Sequence, residues 1–122
     1  MADMLGSLTQ YAAHQLGGIT RKVTLFAVPK NHISDLRIVT DMDEKYQNAT
    51  LKVLVSITNA SDETAKNSFV RISLKGLPTV IEKMIPSIAA GETWSGWMEG
   101  HVPSPKKWDN EHPFLYPLTL EL

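Results

Sequence analysis

Leu51-Lys52-Val53-Leu54-Val55-Ser56-Ile57-Thr58 is the stretch that decides the fold. Leu51, Val53, Val55 and Ile57 fall on one side of an extended chain, while Lys52, Ser56 and Thr58 fall on the other. Side chains alternate between the two faces of a strand. A sustained period of two therefore marks a half-buried strand. Asn59-Ala60-Ser61-Asp62 closes it with residues that favour turns.

Working outward, the same pattern recurs. Toward the N-terminus, Asp35 to Val39 reads as a strand with Leu36 and Ile38 on one face. Val23 to Val28 is a short, continuously apolar strand ended by Pro29. Toward the C-terminus, Ser68 to Leu74 places Val70, Ile72 and Leu74 inward, and Gly76 and Pro78 bracket the next turn. Val80 to Ile85 is shorter and less regular. Thr93 to Val102 puts Trp94, Gly96, Met98 and Val102 on its inner face, after the turn Ala90-Gly91-Glu92. A loop rich in proline and lysine, Pro103 to Lys107, leads to a last strand, Phe114 to Leu122, with Tyr116, Leu118, Leu120 and Leu122 inward. About seven short strands with no helix after residue 20 predict an all-β, immunoglobulin-like sandwich of two antiparallel sheets over residues 18 to 122. Residues 1 to 17 read either as a short helix stopped by Gly17-Gly18 or as a poorly ordered leader. The apolar alternation is still running at Leu122, which is compatible with a segment of a longer chain.

Composition bounds the function. The chain has 122 residues, 43% hydrophobic and 20% charged, with a net charge of −1. That is one globular domain. No long run of one sign occurs, so the basic footprint of a nucleic-acid binder is missing. No apolar stretch approaches the ~20 residues that span a bilayer as a helix. Cysteine is absent, which removes disulfides and thiolate metal sites.

Four segments carry a resemblance. Gly18-Ile19-Thr20-Arg21-Lys22-Val23-Thr24-Leu25 resembles the exit from a sugar-binding jelly-roll domain in family 2 glycoside hydrolases. Ala27 to Asp35 resembles the start of the sandwich that follows it. Thr40-Asp41-Met42-Asp43-Glu44-Lys45-Tyr46-Gln47-Asn48-Ala49-Thr50-Leu51 resembles a segment of the β-galactosidase branch. Trp108-Asp109-Asn110-Glu111-His112-Pro113-Phe114-Leu115-Tyr116 resembles the closing strand. The four are in the family's order and cover residues 18 to 122. Lys22 departs from the pattern, where an acid is common, and so does Pro117, where threonine is common. The resemblance implies a bacterial hydrolase of O-glycosyl bonds, cytoplasmic or periplasmic. In such a parent this sandwich lies between the jelly-roll and a TIM barrel, and the barrel holds both catalytic glutamates. It further implies no catalytic residue, cofactor or metal in this chain, and as partners the neighbouring domains of the same parent chain and other subunits of an oligomer. Arg21, Phe26, Trp97, Trp108, Phe114 and Tyr116 are the candidate interdomain contacts.

Other chemistry is weighed against plainer roles. Asp41, Asp43 and Glu44 form the tightest acidic cluster, but a single loop suits solvated or turn-capping carboxylates better than an acid/base pair. His14, His32, His101 and His112 lack local metal-ligand spacing. Asn48-Ala49-Thr50 and Asn59-Ala60-Ser61 match the glycosylation tripeptide, a pattern common by chance. The rival function is a free-standing carbohydrate-binding or adhesion module. It needs at least two coplanar exposed aromatics. Trp94 and Trp97 are three apart in one strand and point to opposite faces, so Trp94 belongs to the core, and Trp97 is exposed or packs on a neighbouring domain. Trp108 is expected to pack under the Lys106-Lys107 loop.

Overall fold

The computed structural model describes residues 18, 19 and 21–122. The expectation for residues 1 to 17 lies outside them. The fold is an all-β sandwich with no helix among the described residues. The described residues form six strands: β1 (Asn31–Met42), β2 (Ala49–Asn59), β3 (Phe69–Leu74), β4 (Val80–Met84), β5 (Thr93–Val102) and β6 (Leu118–Glu121). One sheet has the order β1-β2-β5 and the other β4-β3-β6, with every pairing antiparallel.

The central strand β2 behaves as its alternation requires. Ala49, Leu51, Val53, Val55, Ile57 and Asn59 are buried, and the residues between them are half-buried. Val53, Val55 and Ile57 meet Val70 and Ile72 of β3 in a fully enclosed core. Each such side chain contributes about 1.5–3 kcal/mol through burial. The outer face of the first sheet is polar and bonded across strands. Lys52 Nζ lies 2.8 Å from Asp41, the Ser56 and Ser95 hydroxyls are 2.8 Å apart, and those of Thr58 and Thr93 are 2.9 Å apart.

The chain changes sheet between β2 and β3, between β4 and β5, and between β5 and β6. The first two crossings are pinned together where Ala65 and Ile88 exchange backbone hydrogen bonds of 2.9 and 3.0 Å. The flank where β4 meets β5 is tightly closed. Ile81 packs where a β-carbon on Gly100 would stand, and Thr79 Oγ1 donates to the His101 carbonyl at 2.9 Å.

Three strand expectations are corrected. Val23 to Val28 is not a strand; residues 21–28 are exposed and pair with no strand among the described residues, with Leu25 99% accessible. Its continuous apolar run signals burial on both faces, and no sheet of this chain supplies that. The strand expected at Asp35 to Val39 runs from Asn31 to Met42, with a bulge between Ile33 and Asp35. The last strand begins at Leu118 rather than Phe114. Pro117 has no N–H to continue the ladder, and only its carbonyl joins it, accepting from Lys75 N at 3.0 Å. Leu122, expected inward, is 45% exposed.

Candidate docking surfaces at the two ends of the sandwich

Two apolar depressions open at opposite ends of β1. The first, of about 500 Å³, lies at the Met42 end. Its floor comes from Ala49, Leu51 and Val102, all core residues, and its rim from Tyr46, Trp108, Phe114, Leu115 and Tyr116. The connection from β5 to β6 builds that rim. Lys106 N–H donates to the Tyr116 hydroxyl at 2.8 Å, and the Lys106 ammonium stands 4.8 Å from the Phe114 ring centre. The Phe114 and Tyr116 rings meet edge to face, 4.9 Å apart at 72°. Asn48 anchors the connection from below, its Oδ1 accepting from Ser104 N at 3.2 Å. Trp108 is 60% exposed at the groove with Lys106 and Lys107, so it borders the loop rather than lying covered by it.

The second depression, about 610 Å³, lies at the Asn31 end, between Val28, Pro29, Ile33, Phe69 and Leu122. The exposed segment carrying Arg21 and Phe26 enters the molecule here. The structure therefore brings Trp108, Phe114 and Tyr116 together at one end, while of the upstream segment only Val28 and Pro29 line the other, and Arg21 and Phe26 are exposed. Trp97 stands apart from both. It is 43% exposed on the outer face of the first sheet, opposite Leu54. Met42, Tyr46, Ile38 and Leu115 also line the first groove, and none was a candidate. Their exposure depends on which sheet fails to cover them, which is not a local property.

The remaining polar candidates hold the fold. Asp43 accepts from Gln47 N at 2.7 Å and Asn48 N at 2.9 Å, and from Asn48 Nδ2 at 3.0 Å. These donors, Gln47 first, hold its carboxyl below the ordinary value. Asp41 pairs with Lys52 and raises the lysine's pKa through that hydrogen bond and charge. Asn59 is fully buried, and its Nδ2 lies within hydrogen-bond reach of the Glu63, Ile88 and Ala89 carbonyls. That nitrogen is closed to glycosylation in the folded chain. His112 bonds Asp109 within one turn, and among the described residues no three histidine or acidic side chains gather as a metal site. The three tryptophans occupy three places: Trp94 half-buried on the core face, Trp97 on the outer face, and Trp108 at the groove. No two form a flat platform.

The family model for glycosyl hydrolases family 2 matches residues 31–122. The chain belongs to that family. A β-galactosidase of Vibrio vulnificus is 34% identical over 115 residues, and one of Aeromonas hydrophila is 28% identical over 112. A protein of Formosa agariphila whose name refers to β-glucuronidase is 33% identical over 108 residues. Each alignment covers 87–88% of this chain, yet the chain spans only 11–12% of the relatives' length.

Proposed function

We propose that this chain is a non-catalytic spacer domain of a β-galactosidase-like hydrolase, holding a sugar-binding jelly-roll against a catalytic TIM barrel. The observation that carries the proposal is the placement of apolar surface at both ends of one rigid sandwich. Contiguous exposed apolar patches mark interaction sites. Here they meet β1 at its two ends, one at Asn31, His32 and Ile33 and the other at Ile38, Thr40 and Met42. A module with one greasy end suits a terminal appendage, whereas two opposed ends suit a part placed between others. The run Val23-Thr24-Leu25-Phe26-Ala27-Val28 fits a strand of the preceding domain's sheet, which explains its lack of a partner here. The galactoside preference rests on the Asp41 to Leu51 segment and on the names of the Vibrio and Aeromonas relatives.

The test uses the 122-residue chain and the longer chain read from its gene. The 122-residue chain is expected to leave a chromogenic galactoside intact, and the longer chain to hydrolyse it. Phe26→Ser and Trp108→Ala should each lower the longer chain's activity while leaving the sandwich's own unfolding midpoint nearly unchanged. Hydrolysis by the short chain, or full activity in both variants, would overturn the spacer role.

A further inference from the structure

The chain has five asparagines, and one reaction is open in principle to each. The next residue's backbone nitrogen can attack the side-chain amide carbon. Attack needs both groups free. Asn59 is buried, and Ala60 N donates to the Lys30 carbonyl at 2.8 Å. After Asn110, Glu111 N donates to Asp109 Oδ1 at 3.0 Å. The Asn48 amide is bonded at both of its atoms, to Asp43 and to Ser104 N. Asn31 precedes the bulkier His32, which is held opposite Thr58 in the ladder. Asn67 stands apart. It is exposed, and among the described residues neither its amide nor the Ser68 N–H makes a hydrogen bond. The small serine side chain leaves that nitrogen open. A φ of 57° puts Asn67 in the left-handed region, which asparagine tolerates.

We propose that Asn67 is a self-modification site that converts to aspartate and isoaspartate, with water as the co-reactant. The Ser68 nitrogen gives its proton to solvent base and bonds to Asn67 Cγ. The bond from Cγ to the amide nitrogen breaks, and that nitrogen takes a proton and leaves as ammonia. Water then opens the cyclic imide. Cleavage at Cγ restores the backbone and leaves aspartate. Cleavage at the α-carbonyl carbon leaves the chain running through the side chain, as isoaspartate. Nothing is oxidised or reduced. Position gives the change its effect. Asn67 and Ser68 line the depression that also holds Val28, Ile33 and Phe69, so the product sets a negative charge in an apolar surface. Isoaspartate also inserts an extra backbone atom between two fixed points. One is the Ala65–Ile88 bridge, and the other is the Ser68 carbonyl, which accepts from Ile85 N at 2.9 Å where β3 and β4 begin to pair.

The experiment holds the 122-residue chain in mildly alkaline buffer and weighs the intact chain and its peptides in timed samples against a zero-time control. Exchanging an amide for an acid adds a single mass unit. The gain is expected first in Asn67-Ser68-Phe69-Val70-Arg71, the peptide released by cleavage after Lys66 and Arg71, which should split into two chromatographic forms. Asn67→Gly keeps the left-handed backbone and should abolish the early gain of the intact chain. Ser68→Val should slow the gain about tenfold, because a β-branched neighbour crowds the attacking nitrogen. In the isoaspartate form the Ile85 amide should exchange about tenfold faster than in the fresh chain. A first gain at another asparagine, or a Ser68→Val rate equal to the parent chain's, overturns the site. Unchanged exchange at Ile85 overturns the loosening of the β3–β4 entrance. The spacer reading is untouched by any of these results.

Discussion

Asn59 is the side chain on which the corner of the sandwich converges. It ends β2, yet its amide reaches backbone carbonyls on both crossings, and its Oδ1 accepts from Ser61 N at 3.0 Å. Asn59→Ala would remove this amide's bonds from the corner, while the Glu63, Ile88 and Ala89 carbonyls keep Ser61 Oγ, Ala65 N and Glu92 N as donors, at a cost of about 1–3 kcal/mol. A urea unfolding midpoint within error of the parent chain would show that water replaces the amide freely. Asn59 looked like an ordinary turn asparagine, because nothing local shows that Ile88 and Ala89 return to it. Asp43 makes the complementary case. Its carboxyl ionises below the ordinary 3.8, chiefly because Gln47 N–H donates to the anion. A group that ionises more easily folded than unfolded stabilises the fold above its unfolded pKa. That contribution is lost as pH falls through the lowered folded pKa. The turn from Asp43 to Asn48 should therefore be intact at neutral pH and loosen only below 3.8. The amide shifts of Gln47 and Asn48, followed by NMR from pH 6 to pH 2, should share one midpoint under that value. A midpoint above it contradicts the capping role.

At the scale of elements, β2, β3 and β5 were legible because each buries one face and exposes the other, so the sequence carries the period. The inner face of β5 adds a packing constraint. A β-carbon at Gly96 would overlap the Trp94 indole, which folds back over it. Gly96→Ala should destabilise the chain by about 1–3 kcal/mol through overpacking. Adding Trp94→Phe should recover part of that loss, because the smaller ring vacates the space. No recovery in thermal unfolding of the double variant would place the strain elsewhere. The elements that misled did so for physical reasons. Phe114 and Tyr116 keep the same phase as Leu118 and Leu120, so the alternation runs on through a segment whose ladder begins only after Pro117. Val23 to Val28 has a strand's composition without a sheet to join. Ser34 at the β1 bulge shifts the register, which hid the strand's true start at Asn31.

At the scale of the whole molecule, legibility divides along the same line. Trp108, Phe114 and Tyr116 could be singled out because they fall in the segment that resembles the family's closing strand. The groove they rim could not, since it exists only where one sheet fails to cover the other. The pairing of β2 with β5 is equally non-local, and it has a consequence for synthesis. Thr58 and Thr93, bonded across these strands, lie 35 residues apart in sequence. A ribosome adding ~5–20 residues per second needs about 2–7 s to make that interval. For that time the edge of β2 that β5 will take stands unpaired, although β3 is already made and can cover the inner face. The nascent chain thus passes through a stage with an open strand edge, and a holdase bound along that edge would have to leave as β5 emerges.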